Sequence, residues 1–271
     1  MKSARVVAVS LLLAVSVPAR VAAAPRTADP LAAFMGRVAA AVQSDDLSAF
    51  EPLVTKDFDW GNTSILPLVT NYKCPEVTRW SFTPLERSDV SARVRLELEA
   101  VAIRVGRGTP APLPRFWILD LSAVSGRWSI GAFSRLERDI ASRIVRARPE
   151  ERGAIFAADP DADPHVLIPE LADVTVVELP GLIRRRYNGK PPADAELAEV
   201  YALRQFARGE ARRLDSAADE SIDLSLTAAF LRARGLRAEA LAGAEEAVEL
   251  AYRSGAADAM AAALLSRGLG R

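Results

Sequence analysis

The segment from residue 89 to residue 105 alternates apolar and charged side chains with the two-residue period of a half-buried β-strand. Apolar side chains occupy every second position: Val90, Ala92, Val94, Leu96, Leu98 and Ala100. Beyond Ala100 they move to Val101, Ile103 and Val105, and a shift by one residue is typical of a β-bulge. The pattern therefore predicts a long strand with one wet face and a bend near its end.

Three other strands are expected around this one. Residues 114–124 (PRFWILDLSAV) lead through Ser125 and Gly126 into residues 127–134 (RWSIGAFS), a pattern that predicts a tight β-hairpin. A shorter strand is expected before the long one, from Glu76 to Leu85, where Pro84 indicates a strand end or a sheet edge. All four would belong to one antiparallel sheet.

Helical patterns precede the strands. Asp29 and Pro30 are typical of an N-cap followed by proline in the first turn. Apolar side chains then recur at helical spacing: Leu31, Phe34, Met35, Val38 and Val42. A second short helix is expected from Asp46 to Val54, and residues 55–75 are expected to be rich in loops. Helices followed by antiparallel strands indicate an α+β domain.

Three stretches of this domain resemble the nuclear transport factor 2-like (NTF2-like) or SnoaL-like superfamily. They are SDDLSAFEPLVTKDFDW at 44–60, the long bent strand, and WILDLSAVSGRWSIGAFS at 117–134. The resemblance covers residues 30–135 and implies a cone, in which a curved antiparallel sheet wraps helices around an internal pocket. Members include steroid isomerases, polyketide cyclases, dehydratases and non-catalytic domains, so the fold alone selects no activity.

Polar groups inside such a cup are the candidates for chemistry: Asp57, Asp59, Tyr72 and Asp120. Candidate walls of a ligand pocket are Trp60, Trp80 and Trp117. If Asp120 were desolvated beside Phe116 and Ile118, its raised pKa would suit proton abstraction. Strand parity favours an outward Asp120 instead, since the odd-numbered residues of the same strand, on either side of Asp120, form the more continuous apolar face. Loop acids are usually turn formers or caps, and tryptophans are usually core residues.

Metal and cofactor chemistry lacks its usual parts. His165 is the only histidine and Cys74 the only cysteine, so one chain cannot assemble a histidine-rich metal site or a zinc–thiolate cluster. No metal and no cofactor are predicted. His165 lies in the connector DPDADPHVL, where a solvated or capping role is expected. Cys74 is expected to be buried and inert, with an intermolecular disulfide as the alternative.

Residues 1–24 have the pattern of a secretory signal peptide. Lys2 and Arg5 precede an apolar run, and small residues follow at 21–23. Export to the periplasm or the medium is expected, with an uncleaved anchor as the alternative, and no membrane span is predicted after cleavage. The 35 basic residues balance the 35 acidic ones, so no net field recruits nucleic acid or an anionic membrane.

From residue 138 onward the pattern is helical. A connector is predicted over 138–192, with one helix starting at Pro149 and another running from Pro169 towards Tyr187. Further helices are expected at 194–214, 221–234, 236–254 and 256–267. Seven residues of the third form one stripe at helical spacing: Ala240, Leu241, Ala244, Ala247, Val248, Ala251 and Tyr252.

Residues 228–268 resemble a tetratricopeptide repeat. Gly235 occupies the inter-helix glycine place, Ala247 the small residue of the second helix, and Gly255 opens the next helix. The aromatic places of that family hold Ala238 and Ala251, so the match is degenerate. The resemblance implies that residues 193–271 are helical hairpins that bind a protein or peptide. It extends to the start of large bacterial tetratricopeptide proteins that carry a caspase-like domain.

Two functions from different classes remain open, beside a third possibility of a stable exported domain with a vestigial tail. The leading hypothesis is an exported, non-catalytic interaction or scaffold protein, whose domain at 29–137 serves as a ligand or dimerisation module. In that case the helices bind a protein partner, and the first domain binds a small apolar ligand or forms the contact of a homodimer. The alternative is an enzyme of the ketosteroid isomerase type, which would use a pocket carboxylate for proton transfer on a small apolar substrate.

Overall fold

The computed structural model of the protein describes residues 29–106, 108–192 and 194–268. Its strands are β1 (Tyr72–Arg87), β2 (Ser91–Arg104), β3 (Pro110–Pro112), β4 (Phe116–Val124) and β5 (Arg127–Arg135). Its α-helices are α1 (Pro30–Gln43), α2 (Ile65–Asn71), α3 (Leu136–Arg146), α4 (Pro149–Phe156), α5 (Pro164–Arg186), α6 (Ala195–Arg213), α7 (Ala217–Ala233), α8 (Arg237–Ser254) and α9 (Ala257–Gly268). The mixed α and β composition is as predicted, with the helices mainly after the sheet. The predicted signal peptide at 1–24 lies outside the described residues.

The five strands form one antiparallel sheet in the order β1-β2-β4-β5, with the short β3 paired to β2. β4 and β5 are joined at Ser125 and Gly126, whose φ angles of 51° and 74° are both positive. Two successive residues with positive φ are typical of the type I′ turn, which suits the right-handed twist of a hairpin. The predicted hairpin is therefore confirmed.

The bulge predicted within the long strand is wrong. Burial in β2 alternates without interruption from Ala92 to Ala102, while Val101 and Ile103 lie on the outer face and are 48% and 43% exposed. The register shifts of this pair belong to β1, where they fall between Lys73 and Glu76, between Val77 and Arg79, and between Pro84 and Glu86. β1 is an edge strand, so it can accommodate extra residues without breaking a second ladder.

One face of the sheet packs against α1. The apolar positions predicted for this helix are all buried: Leu31, Phe34, Met35, Val38 and Val42. Asp29 is the N-cap, and its carboxylate accepts a hydrogen bond from the backbone N–H of Leu31 at 3.0 Å. Side chains fill this face of the sheet, since Phe50, Ile65 and Trp117 are buried in the same core.

The segment between α1 and the sheet differs from the prediction. Two short 3-10 helices, Leu47–Ala49 and Glu51–Leu53, replace the α-helix expected from Asp46 to Val54, because Pro52 has no N–H to continue an α-helical ladder. The expected loop region contains α2 and the start of β1. Cys74 is exposed, not buried, because it lies in a bulge of the edge strand, where its φ is 49°.

The other face of the sheet is only partly wet. Ile118 of β4 is 4% exposed and belongs to a second core, which it shares with α3 and α5. Arg93 of β2 also faces α3 and lies 2.5 Å from a carboxylate oxygen of Asp139. The wet face predicted for the long strand is therefore partly covered, because α3 follows β5 without an intervening residue and contacts β4.

The helical half follows the predicted pattern with shifted ends. α5 begins at Pro164, five residues before the predicted start at Pro169, and continues through Pro180 as one helix. Its N-cap is Asp163, which accepts a hydrogen bond from the backbone N–H of His165 at 2.9 Å. The four helices predicted after residue 193 correspond to α6, α7, α8 and α9, and α7 begins four residues before its predicted start.

Candidate functional site

The three aspartates considered for proton transfer are all exposed. Asp59 caps a 3-10 helix by accepting a hydrogen bond from the backbone N–H of Gly61 at 3.1 Å. Asp120 faces outward, as strand parity favoured, and lies 3.0 Å from the guanidinium of Arg93. None of the three lies in an apolar cavity, because the cleft of about 600 Å³ that Asp120 lines also contains the charged side chains of Glu86, Arg93 and Arg143.

The aromatic candidates do not share a cavity. Trp117 is 1% exposed and packs on Phe133 with 5.1 Å between ring centroids. Trp60 is half-buried, and its ring lies edge-on to another ring of the same loop. Trp80 is 38% exposed, and Tyr72 is half-buried at the start of β1. These residues are therefore core or rim positions, and they line none of three clefts of about 450 to 600 Å³ in the described chain.

The helices from α5 onward pack in a regular order. α5 packs against α6 and α7, and α7 packs against α8 and α9. α6 and α8 each pack against the helix that follows them. This places α5, α7 and α9 in one layer and α6 and α8 in a second, with α7 at the centre. Helical pairs that each contact only their neighbours are typical of stacked repeats.

The open side of α7 is apolar. Five apolar residues lie on one side of the helix, because they follow each other at intervals of four, four, three and four positions: Ala218, Ile222, Leu226, Ala229 and Ala233. Ile222 and Leu226 are half-buried, and Ala229 and Ala233 are exposed. We call these five residues the α7 strip. Ala218 and Ile222 also pack against the core that α7 shares with α8 and α9, so the open part of the strip is Leu226, Ala229 and Ala233.

α7 buries polar as well as apolar residues, and the apolar ones are Leu224, Ala228, Phe230 and Leu231. Its buried polar residues are Asp219, Glu220, Ser221, Asp223, Ser225 and Thr227. Buried polar groups need partners within the protein, because they have lost their water. The Ser221 hydroxyl, for example, donates to the backbone carbonyl of Ala247 on α8 at 2.8 Å.

Two arginines of α6 pair with Glu220. Its Oε1 accepts hydrogen bonds from Arg208 at 2.7 Å and from Arg212 at 2.9 Å. Arg208 also pairs with Glu246 of α8. Burial opposes the charge on Glu220, but the hydrogen bonds from Arg212 and Arg208 hold its pKa below the ordinary value. The network fixes the rotation of α7 against α6 and α8.

Asp223 is the most enclosed acid of this group, with 2% exposure. Within the described chain, neither its Oδ2 nor the Nε of Arg204 has a hydrogen-bond partner. Both residues line a cavity of about 20 Å³ between α5, α6 and α7, which has room for one water molecule. Burial raises the pKa of Asp223 to about 7, although Arg204 and Arg208 favour its charged form.

The sequence pattern did not single out these buried acids. A charged residue in a helix is ordinarily assigned to its wet face, and their partners lie on another helix. One signal was available, because Arg204, Arg208 and Arg212 recur every four residues and form one charged face of α6. His165 does lie in the solvent, as expected, but its ring also contacts the buried Asp219.

In the described ranges, the structure brings together no group of three or more His, Cys, Asp or Glu side chains that could hold a metal ion. Those ranges also include no helix with the length and apolarity needed to cross a bilayer. Comparison of the chain with protein-family models, curated proteins and solved structures gave no match. The candidate site is therefore the α7 strip, an apolar surface on a helix that buried ion pairs hold in place.

Proposed function

We propose that the protein is an exported, non-catalytic scaffold that binds a protein or peptide partner through its C-terminal helices. The observation that carries this proposal is the apolar end of the α7 strip, on a helix that also buries acids. Leu226 is only half-buried and Ala229 and Ala233 are exposed, whereas Asp219 and Asp223 of the same helix are buried. Apolar side chains kept on an open face suit contact with the apolar face of another chain.

The packing order of α5 to α9 supports a tetratricopeptide-like arrangement. In such an array, one helix of each pair lies in an inner layer, and the inner helices of successive pairs contact each other. α5, α7 and α9 have this relation, with Gly235 at φ 80° and Gly255 at φ 67° in the turns on either side of α8. We propose the face of these three helices as the partner surface and an apolar-faced peptide segment as the partner.

For the first domain we propose an NTF2-like fold that serves as a ligand or dimerisation module. The order of α1, the 3-10 helices and the antiparallel sheet supports it. The core side chains between α1 and the sheet favour a ligand outside the sheet over one within it. Export rests on the signal pattern at 1–24, and the division at 137 and 192 is part of the same proposal.

The enzyme alternative has less support. Proton transfer on an apolar substrate needs a carboxylate inside a closed cavity, where desolvation raises its pKa. Asp57, Asp59 and Asp120 are exposed, and Tyr72 is not joined to any of them by a hydrogen bond within the described chain. The geometry therefore favours binding over catalysis.

Site-specific photo-crosslinking in the producing cells tests the proposal. A photoreactive benzoylphenylalanine at Leu226 should give a discrete adduct with another protein, and the same residue at Gln205, exposed on α6, should give none. Leu226→Glu should abolish complex formation by the purified pair while leaving the far-UV circular dichroism unchanged. Equal labelling from both positions would contradict a partner on this face. So would the absence of an adduct at position 226 if the purified protein is also monomeric and its helical half is sensitive to protease.

A further inference from the structure

Among the described residues, the lining of a cleft at the start of α1 and β5 includes two arginines and no acidic side chain. The cleft measures about 540 Å³, and Arg37 and Arg127 are its charged lining residues. In four other clefts of the described chain, arginines share the lining with Asp or Glu. Here the remaining lining is apolar or neutral: Pro30, Ala33, Pro52, Gly126, Trp128 and Ser129.

The hydrogen-bond donors of this cleft are free. Within the described residues, neither Arg37 nor Arg127 forms an ion pair, and the Ser129 hydroxyl has no hydrogen-bond partner. The sequence stretches that the structure does not describe contain no Asp or Glu side chain. Two guanidinium groups and a hydroxyl can therefore donate to oxyanion oxygens without first breaking an internal bond.

Regular secondary structure sets the backbone positions of the two arginines. Arg37 lies on α1 with its guanidinium carbon 5.4 Å from the centre of the Phe34 ring, one helical turn earlier. Arg127 follows the two-residue turn at Ser125 and Gly126, a rigid connection in which both residues have positive φ. The backbone of the site therefore needs no rearrangement when an anion binds, and the ordering cost falls on the exposed arginine side chains.

We propose that this cleft binds a small organic anion, with its phosphate or carboxylate oxygens on Arg37 and Arg127. The volume lies in the range of small-molecule sites, so the ligand is larger than an inorganic ion. Its body would lie against the apolar wall of Pro30, Pro52 and the buried Trp128, with Ser129 as a further donor. The inference is independent of the function proposed for the helices, and either can fail without the other.

Isothermal titration calorimetry with four probes tests the site: phenyl phosphate, benzoate, inorganic phosphate and phenol. We expect saturable binding of phenyl phosphate or benzoate, at least tenfold weaker binding of inorganic phosphate, and none of phenol. The tighter of the first two probes identifies the preferred oxyanion. Absence of binding by both, or equal binding of phenyl phosphate and inorganic phosphate, would overturn an organic anion as the ligand.

Three substitutions locate the binding. Arg37→Gln and Arg127→Gln should each weaken the binding at least tenfold, while Arg253→Gln, at an exposed and unpaired arginine of α8, should leave it unchanged. Arg37→Lys keeps the charge but loses the planar fork, so it should fall between wild type and Arg37→Gln. Thermal unfolding of each variant checks the fold. If binding survives both glutamine variants, the anion site is not this cleft.

Discussion

His165 and Asp219 join the first turn of α5 to the first turn of α7, with 2.6 Å between Nδ1 and Oδ2. The imidazole is more than half exposed, whereas the carboxylate is buried. The hydrogen bond to Asp219 raises the pKa of His165, although burial opposes the shift. The contact therefore ties two helices of the same layer at the end where the α7 strip begins.

The stabilisation from this pair should depend on pH. Because the pKa of His165 is raised in the folded state, the contribution is complete below the unfolded value of 6.5 and is lost as pH rises through the folded value. A double-mutant cycle of His165→Gln and Asp219→Asn, measured by urea unfolding, should give a coupling of up to about 1 kcal/mol at pH 5.5. A coupling that grew between pH 5.5 and pH 9 would contradict this.

Asp223 should make the helical half less stable as pH rises. Its pKa is raised to about 7 from 3.8, so folding favours the protonated acid, and this advantage disappears between those values. The difference corresponds to at most about 4 kcal/mol. Urea unfolding at pH 5 to 8 should show a smaller loss of stability for Asp223→Asn than for wild type. Asp194→Asn, at an exposed acid, is the control and should follow wild type.

Arg93 should contribute more to stability through Asp139 than through Asp120. Burial raises the pKa of Asp139 although Arg93 favours its charge, so removing the arginine leaves a partly buried carboxylate unpaired. We expect Arg93→Gln to cost about 1 to 3 kcal/mol. Asp120 is about half exposed, so Asp120→Asn should cost less than about 1 kcal/mol. Chemical denaturation measures the free energy of unfolding of the two variants. Equal losses of stability would show that α3 does not depend on the pair of Arg93 and Asp139.

Gly243 lies in the interior of α8, where glycine is unfavourable. A Cβ at this position would lie 3.8 Å from the Cβ of Ala228 and 3.9 Å from a guanidinium nitrogen of Arg204, which are ordinary contacts. Gly243→Ala should therefore raise stability by about 0.5 to 1 kcal/mol. Gly243→Leu should lower the melting temperature, because its longer side chain would displace Arg204. If both variants were equally destabilised, α8 would be closer to α7 than the structure shows.

Local patterns predicted most elements because they depend on neighbours in the chain. Asp29 before Pro30, the alternation from Ala92 to Leu98, and the Ser125–Gly126 turn each specify their structure within a few residues. The outward position of Asp120 also followed from strand parity. Such patterns do not show which distant residue a side chain will contact, and each prediction that was wrong depends on a contact of this kind.

The misplaced features show this dependence. Val101 and Ile103 look like the start of a new alternation, but the residues that face them belong to β1 and β3. Cys74 reads as apolar, yet the free edge of the sheet exposes it. Asp223 reads as solvent-exposed until Arg204 on α6 is placed beside it in space. The α7 strip was not predicted for the same reason, because four other helices determine which side of α7 remains open.

The direct passage from β5 into α3 bears on how the molecule would hold two ligands at once. Arg127 opens β5, Arg135 closes it, and Leu136 already belongs to a helix packed on the sheet. Ile118 of β4 also shares one core with residues of α5, α6 and α7. An anion at Arg127 and a peptide on the α7 strip would therefore be held by parts of the molecule that are joined by side-chain packing and not only by a linker.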